Sequence, residues 1–301
     1  MIAVLSPSPA LDVTYLVGSL VAGEIHRPRE VLRLPGGKGL NLARAAAVLG
    51  EIVRVVAPIG GNVGELVAEL AELEGLQLDA VVVGAEARSC VSAIPDAGAP
   101  TEFYEPPAPL TEPEARALSL HFAGLPAGSW SALAGSLPDM KGLGDALLSR
   151  RAAGDRIAVD SSGQPLALLL AEVAPDLLKI NAAEAAELLG DSGSPVELAS
   201  ALHGHTGGAV VITNGARGAV GVDAAGAWQA QPDPQPGRYA IGSGDSFFAG
   251  LLVALAVGAA LPDALHAGSA AGSANTRAPG AGVFTRADYD AALNRIRVVM
   301  P

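Results

Sequence analysis

Short apolar runs alternate with segments of helical periodicity along most of this chain, and that alternation limits the folds that it can adopt. The strand-like runs span residues 2–5, 53–58, 80–83, 157–160, 177–180 and 209–213. Between them, apolar residues recur at helical spacing over residues 63–73, 113–120, 143–152, 183–189 and 196–202. This order predicts an α/β fold in which a mostly parallel central sheet carries helices on both faces. In such sheets, ligands bind at the carboxyl ends of the strands.

Two segments do not follow the alternation. Residues 12–34 and 88–104 contain alternating or β-branched patterns without a helix. They predict either a small sheet that projects from the main body as a lid, or two long ordinary loops. At 301 residues the chain is long enough to form one domain over residues 1–301, with the lid as its appendage.

The charge and composition exclude several classes of partner. The chain has a net charge of −12 and no basic run, whereas nucleic acids bind clustered lysines and arginines. The longest uncharged run, residues 246–262, is interrupted by Gly250 and Gly258 and is shorter than the ~20 apolar residues of a membrane span. It therefore predicts a buried helix. A single cysteine, Cys90, indicates a reducing, cytoplasmic location.

A glycine-rich turn with the sequence Gly-Ser-Gly-Asp, residues 242–245, opens this apolar run. Glycine lets a backbone approach a ligand closely, and the first amides of a helix point at any anion there. Beside such amides, Asp245 can take a proton from a hydroxyl while the amides hold the charge of a transferring phosphate. The alternative is that Asp245 is an ordinary helix cap.

A second glycine-rich turn, residues 35–39, opens a helix near the start of the chain. It is not a Walker loop, because Gly39 rather than Ser or Thr follows Lys38. Its glycines admit a ligand to the backbone around Gly37, while Lys38 and Asn41 offer a cation and an amide beside it. If the glycines form only a turn, Lys38 is a solvated charge.

Together the two turns resemble those of the ribokinase-like, or PfkB-type, carbohydrate kinases. The anion-hole motif of that family is glycine, alanine, glycine, aspartate, and Ser243 stands here in place of the alanine. The resemblance implies a ribokinase-like three-layer fold with a small β-sheet lid and ATP as the phosphoryl donor. It also implies that Asp245 is the catalytic base and that the amides of Gly242, Ser243 and Gly244 stabilise the transition state.

A narrower resemblance is to the 1-phosphofructokinase and tagatose-6-phosphate kinase group. That group shows a proline-rich start that leads to an aspartate, a GEVHR-like segment and GGKG-x-N-x-AR, which match residues 8–12, 23–27 and 36–44. Its Thr-Glu-Phe and Gly-Ser-Leu-Pro elements match residues 101–103 and 135–138. The implied substrate-binding residues are Asp12 and Asn41 for sugar hydroxyls, Gly37 in the sugar-binding loop, Lys38 and Arg88 for the substrate phosphate, and Ser136 near the substrate.

The resemblance places the nucleotide and its metal ion farther along the chain. Residues 179–184 resemble the K-P-N-x-x-E segment of the family, although Ile180 replaces the proline. Asn181 and Glu184 are three residues apart and can both reach one hydrated Mg²⁺, Glu184 through water. The same spacing suits a capping box. The other implied nucleotide-binding residues are Thr213, Asn214, Gly215, Ala216, Arg217, Gly218 and Asn275.

These features predict ATP-dependent phosphorylation of a ketohexose phosphate, with fructose 1-phosphate as the first choice of substrate. Tagatose 6-phosphate and fructose 6-phosphate are the alternatives. An unphosphorylated sugar or nucleoside ranks below these sugar phosphates as a substrate, because it would leave Lys38 and Arg88 unpaired in a closing pocket. The rival from another class is a noncatalytic nucleotide-binding module. A homodimer formed through the lid is expected, and neither a nucleic acid nor a membrane is an expected partner.

Overall fold

The computed structural model describes residues 1–137 and 142–301. Its strands are β1 (Ile2–Leu5), β2 (Ala10–Val17), β3 (Glu30–Gly36), β4 (Val53–Ile59), β5 (Gln77–Val82), β6 (Arg88–Pro95), β7 (Thr101–Tyr104), β8 (Trp130–Ala134), β9 (Arg156–Asp160), β10 (Leu177–Asn181), β11 (Ala209–Thr213), β12 (Ala219–Asp223), β13 (Gly226–Ala230) and β14 (Val298–Val299). Its helices are α1 (Lys38–Val48), α2 (Gly61–Leu73), α3 (Glu112–Ala123), α4 (Leu143–Ala152), α5 (Gly163–Glu172), α6 (Ala182–Leu189), α7 (Pro195–Thr206), α8 (Ser243–Ala256), α9 (Leu261–Asn275) and α10 (Arg286–Arg295).

The central sheet has the strand order β14-β13-β12-β11-β10-β9-β8-β1-β4-β5. All neighbouring strands from β11 to β5 are parallel, whereas β12, β13 and β14 add an antiparallel edge. The predicted, mostly parallel sheet is therefore confirmed. Because β1, β8, β9, β10 and β11 run the same way, their carboxyl ends meet at one edge, where ligands bind in folds of this kind.

Alternation along β1 divides the hydrophobic core between the two faces of the sheet. Ile2 and Val4 belong to a buried cluster formed with α1, α2, α8, α9 and α10, whereas Ala3 and Leu5 belong to one formed with α3 to α7. Each leucine or phenylalanine fully buried in these clusters contributes roughly 1.5–3 kcal/mol to folding. The three-layer arrangement is confirmed. Within the described residues, no helix is both long and apolar enough to cross a bilayer.

The uncharged run at residues 246–262 is not one helix, so that prediction is wrong in its extent. Helix α8 ends at Ala256, and Gly258 has a φ of +87° before α9 begins at Leu261. A residue with this left-handed backbone cannot continue a right-handed helix, and glycine adopts it without strain. The run is buried as predicted over most of α8.

The strands β2, β3, β6 and β7 form a separate sheet with the order β3-β2-β6-β7, which confirms the small second sheet. The predicted segments 12–34 and 88–104 supply its strands, although β2 begins at Ala10 and β3 ends at Gly36. Strand β2 pairs antiparallel with β3 and parallel with β6. We call it the lid sheet, and its closure over a bound substrate stays a prediction.

Candidate active site

The turn at residues 242–245 forms the start of α8. Gly242 precedes the helix with a φ of +78°, and a Cβ added to it would lie only 2.3 Å from the Cβ of Ala281. The Ser243 amide donates to the carbonyl of Ala240, which precedes the turn, at 3.1 Å. The amides of Gly242, Gly244 and Asp245 have no acceptor within the described residues. In this conformation they, rather than that of Ser243, are open to an anion.

Asp245 contacts the other glycine-rich turn through Asn41. The Nδ2 of Asn41 donates to Oδ2 of Asp245 at 2.9 Å. The orientation of the Asn41 amide is fixed because Nη1 of Arg44 donates to its Oδ1 at 3.2 Å. The buried Arg44 also donates to the carbonyls of Pro35, at 2.5 Å, and Ala281, at 2.7 Å. Helix α1 therefore connects the two turns.

Asp12 lies beside the same group of residues. A Cβ added to Gly36 would overlap its carboxylate, at 2.1 Å from Cγ, so the glycine makes room for Asp12. Burial raises the pKa of Asp12 to about 6, and the nearby Asp245 also raises it, whereas Arg44 and Asn41 lower it. The structure thus brings the predicted sugar-binding carboxylate close to the predicted base.

Lys38 is one of two lysines that share a buried carboxylate. Its Nζ lies 2.6 Å from Oδ1 of Asp160, and the Nζ of Lys179 lies 2.7 Å from Oδ2. Burial opposes the positive charge of Lys38, but Asp160, Asp245 and Glu184 together outweigh it and raise its pKa. Burial likewise raises the pKa of Asp160, but the two lysines overcome that effect, so its pKa is lowered and it stays ionised.

The environment of Asp245 shifts its pKa upward. Burial is the largest cause and Asp160 adds to it, whereas Lys38, the hydrogen bond from Asn41, and Lys179 act in the opposite direction. A carboxylate with a raised pKa is a stronger base once it is ionised. Asp245 therefore combines increased basicity with a position beside unpaired amides, which is what proton removal from an alcohol requires.

Arg88 lies at the start of β6 in the lid sheet, paired with Ala10 of β2. Its Nη1 donates to the carbonyl of Glu105 at 3.1 Å, and its Nε is buried without a hydrogen-bond partner in the described chain. An unpaired guanidinium nitrogen is costly, and an anion would satisfy it.

Ser136 follows β8 and is partly exposed. Pro138, of the same predicted turn, lies outside the described residues.

Asn181 and Glu184 form a capping box at the start of α6. The Oδ1 of Asn181 accepts from the Glu184 amide at 2.9 Å, and Oε2 of Glu184 accepts from the Asn181 amide at 2.8 Å. Because Glu184 is partly exposed, its carboxylate can also reach a hydrated Mg²⁺. No group of three or more His, Cys, Asp or Glu residues suited to a metal ion occurs in residues 1–137 and 142–301. The metal role of Glu184 stays a prediction.

The predicted nucleotide turn follows β11 and contains a short 3-10 helix, Gly215–Arg217. The amide of Asn214 donates to the carbonyl of Gly218 at 2.8 Å, and Nη2 of Arg217 donates to Oδ1 of Asn214 at 2.9 Å. The turn is at least partly exposed throughout. It lies at the same sheet edge as Asp160, because β9, β10 and β11 are parallel neighbours. Contact with a nucleotide stays a prediction.

Asn275 supports the turn at residues 242–245, the proposed catalytic turn, from inside the protein. It is fully buried, and its Oδ1 accepts from the Ser246 hydroxyl at 3.0 Å and from the Gly282 amide at 2.7 Å. Its Nδ2 donates to the carbonyl of Ile241, just before the turn, at 2.8 Å and to Oγ of Ser243, within the turn, at 3.3 Å. With both polar atoms paired, the side chain faces the turn rather than the surface in this conformation. The predicted contact of Asn275 with the nucleotide therefore stays a prediction only.

Sequence reasoning assigned no role to three charged residues of the site: Arg44, Asp160 and Lys179. Arg44 ends the GGKG-x-N-x-AR segment, and the other two stand at or near the ends of the predicted strands 157–160 and 177–180. Polar residues at the carboxyl ends of consecutive parallel strands are a signal that could have identified Asp160 and Lys179.

Comparisons with known proteins identify the family of this chain. The sequence matches the pfkB family carbohydrate kinase pattern over residues 8–287. It is 32% identical over 251 residues to ATP-dependent 6-phosphofructokinase isozyme 2 of Escherichia coli K12, a match that covers 80% of this chain and 81% of that protein. Phosphofructokinase-2 from Escherichia coli in complex with substrates and products superposes with a TM-score of 0.90 at 29% identity, over 97% of this chain and 98% of that chain. A possible 1-phosphofructokinase from Thermotoga maritima shares the fold, with a TM-score of 0.82 at 17% identity over 99% and 98% of the two chains. The family match over nearly the whole length and the 32% identity establish that this chain belongs to the pfkB family of carbohydrate kinases.

Proposed function

We propose that the protein catalyses the ATP-dependent phosphorylation of a fructose phosphate to fructose 1,6-bisphosphate, with Asp245 as the general base. The observation that carries this proposal is the position of Asp245. Its carboxylate lies in the first turn of α8, beside the unpaired amides of Gly242 and Gly244, and accepts a hydrogen bond from Asn41. A hydroxyl that enters between Asp12 and this turn meets a base and an anion-binding group together.

In the proposed reaction, Asp245 takes the proton of the acceptor hydroxyl as the hydroxyl oxygen attacks the γ-phosphorus of ATP and ADP leaves. The free amides of the turn and the positive end of the α8 dipole hold the negative charge of the transferring phosphoryl group. Lys38 adds a cation, since its pKa is raised and its side chain is partly exposed. Asp12 and Asn41 orient the sugar through its hydroxyls.

ATP is the proposed donor, and Mg²⁺ is its proposed metal ion. Glu184 would hold the ion through water, while Asn181 and the turn at residues 213–218 would hold the nucleotide. Bound Mg²⁺ supplies positive charge to the β- and γ-phosphates. The exposure of the nucleotide turn and the partial exposure of Glu184 support this arrangement.

Arg88 supports a substrate that already carries a phosphate. Its buried Nε lacks a partner in the described chain, and a phosphate oxygen is the acceptor that a guanidinium binds best. An unphosphorylated sugar would leave this nitrogen unpaired. For that reason we rank neutral sugars and nucleosides below the sugar phosphates as candidate substrates.

Fructose 6-phosphate is the first candidate among these phosphates, because the relative at 32% identity is named a 6-phosphofructokinase. Fructose 1-phosphate, the first choice from sequence, is the second candidate, because residues 23–27, 36–39 and 101–103 resemble the 1-phosphofructokinase group. The two substrates give the same bisphosphate and differ in which end of the sugar faces Asp245. Tagatose 6-phosphate follows them.

Asp245→Asn tests the proposed base. An ADP-release assay with fructose 6-phosphate, fructose 1-phosphate, tagatose 6-phosphate and free fructose first identifies the substrate of the wild-type protein. With that substrate, loss of the base should lower kcat by roughly 10²- to 10⁴-fold. Sugar-phosphate binding, measured by calorimetry, should persist because Asp12 and Arg88 are unchanged.

Asp263→Asn is the matched control, since Asp263 is also an acid in the first turn of an apolar helix, α9, but is exposed. If Asp245 were only a helix cap, the two variants would behave alike, with small losses of stability and normal turnover. Wild-type kcat in Asp245→Asn would rule out its assignment as the base.

The homodimer and the cytoplasmic location also belong to this proposal. The loop between β2 and β3 and strand β7 expose Ile25 by 84% and Phe103 by 64%. A second subunit that packed on the lid sheet would cover such apolar side chains.

A further inference from the structure

Asp160 is a fully buried carboxylate to which the proposed reaction assigns no step. It ends β9, and the pairing of Val159 with Leu178 places Lys179 of β10 next to it. One oxygen of Asp160 accepts from Lys38 at 2.6 Å, and the other accepts from Lys179 at 2.7 Å. A buried charge of this kind is tolerated only with partners, so the three side chains form one unit, which we call the lysine–aspartate triad.

The two lysines of the triad differ in what else they can reach. The side chain of Lys38 is 29% exposed, whereas that of Lys179 is 5% exposed. A Cβ added to Gly244 would lie 3.3 Å from the Nζ of Lys179, so this ammonium group lies behind the catalytic turn. Lys38 can therefore meet a bound phosphate directly, and Lys179 can act only from within the protein.

The position of Lys38 explains why a carboxylate is needed. Lys38 is the first residue of α1, where the helix dipole disfavours a cation, and the first turn of α1 contains no acidic residue. Asp160 supplies the missing negative charge. A pair formed by Lys38 and Asp160 alone would be neutral, however, and would cancel the cation that a phosphoryl group needs. With Lys179, the triad keeps one net positive charge.

We propose that Lys179 is a positioning residue for phosphoryl transfer: it neutralises Asp160, so that Asp160 anchors Lys38 without cancelling its charge. This inference rests on the proposed function, because it explains how Lys38 serves that reaction. The net charge of the triad, rather than the presence of each ion pair, then determines kcat.

Lys179→Met and Asp160→Asn, made singly and together, test the charge balance in the ADP-release assay. Lys179→Met leaves a neutral pair, and we expect kcat to fall roughly 10- to 100-fold with little change in either KM. The added Asp160→Asn restores one net positive charge, so the double variant should be about tenfold more active than Lys179→Met. A purely structural role predicts the opposite, because the double variant then loses both ion pairs.

Arg150→Met combined with Asp155→Asn is the matched control. Arg150 and Asp155 form another fully buried ion pair, at 2.5 Å. Asp155 immediately precedes the first residue of β9, whereas Asp160 is the last residue of that strand. This variant should unfold at lower denaturant concentration with an unchanged kcat. If Lys179→Met does not fold, Lys179→Gln tests the same charge while it retains a hydrogen-bond donor for Asp160.

Wild-type kcat in an uncharged Lys179 variant would overturn the inference, and so would a double variant no more active than that single variant. A wild-type protein inactive on every fructose phosphate would overturn the proposed function and this inference with it. The wild-type assay therefore separates the two failures.

Discussion

Replacement of Gly242 by alanine tests how closely the catalytic turn depends on one packing contact. At a φ of +78°, an alanine is strained by about 1–2 kcal/mol. Its Cβ would lie 2.3 Å from that of Ala281, whereas carbon atoms in contact are about 3.5–4.0 Å apart. One of the two segments must therefore move by roughly 1–2 Å. Because Arg44 holds the Ala281 carbonyl at 2.7 Å, we expect the turn to move.

Gly258→Ala is the matched control for this variant. Gly258 follows the other end of α8 with a φ of +87°, and an added Cβ there has no atom within 4 Å. Both variants carry the same kind of backbone strain, and only Gly242→Ala adds the clash. A misplacement of about 1 Å at a reacting group can lower a rate by roughly 100-fold. We therefore expect kcat to fall by about 100-fold in Gly242→Ala and to stay unchanged in Gly258→Ala.

Urea unfolding of the two variants separates the catalytic effect from the loss of stability. Backbone strain should lower the free energy of unfolding by about 1–2 kcal/mol in both. Overpacking against Ala281 should remove roughly 1–3 kcal/mol more in Gly242→Ala. A folded Gly242→Ala variant with the kcat of the wild-type protein would refute the reasoning. Equal loss of kcat in both variants would show that the effect is not local to the turn.

Two further changes examine how the sugar phosphate is held. Arg88→Ala should raise the KM for the phosphosugar by roughly 10- to 100-fold, because a hydrogen bond to a charged group is lost, and should leave the KM for ATP unchanged. Arg54→Ala is the control: it breaks a partly exposed ion pair with Asp79 and should change neither KM. The pKa of Asp12 is about 6. Its ionised form is the stronger acceptor for sugar hydroxyls, because in the protonated form one oxygen becomes a donor. As the pH falls below this value, kcat/KM should therefore decrease by about tenfold per pH unit. Phosphate monoesters titrate in the same range, so the pH dependence of kcat/KM should also be measured for Asp12→Asn. If kcat/KM decreases identically at low pH in both proteins, the decrease belongs to a group other than Asp12.

Within the described residues, six of the seven parallel strands, all except β8, could be located because their apolar signal is local. Strand β1 is buried on both faces and appears as an uninterrupted apolar run. The antiparallel edge gives a weaker signal, since β12 (Ala-Val-Gly-Val-Asp) and β13 (Gly-Ala-Trp-Gln-Ala) each contain glycine. Glycine lowers strand propensity, and these segments form strands through their pairing with β11 and with each other.

Within the candidate site, the turn at residues 242–245 could be identified because its glycines and its acid are adjacent in the sequence. The lysine–aspartate triad could not, because it depends on the tertiary structure. Lys38 and Asp160 are 122 residues apart, and their contact requires α1 to begin near the carboxyl end of β9. The hydrogen bond between Ser243 and Ala240 likewise depends on the path of the turn, which the order of glycines does not determine.

The geometry of the two glycine-rich turns is fixed by two buried polar residues, Arg44 and Asn275. Arg44 connects α1 to the carbonyl of Ala281, 237 residues away. Asn275 contacts both Ser243 of the catalytic turn and the amide of Gly282. A buried polar group left unpaired costs about 1–3 kcal/mol, so the arrangement of the two glycine-rich turns that satisfies both side chains is strongly favoured. In that arrangement Asn41 already contacts Asp245, before any substrate binds. The proposed base and the amides around it therefore need little reorganisation when an acceptor hydroxyl arrives, and preorganisation of this kind is the main source of electrostatic catalysis in enzymes.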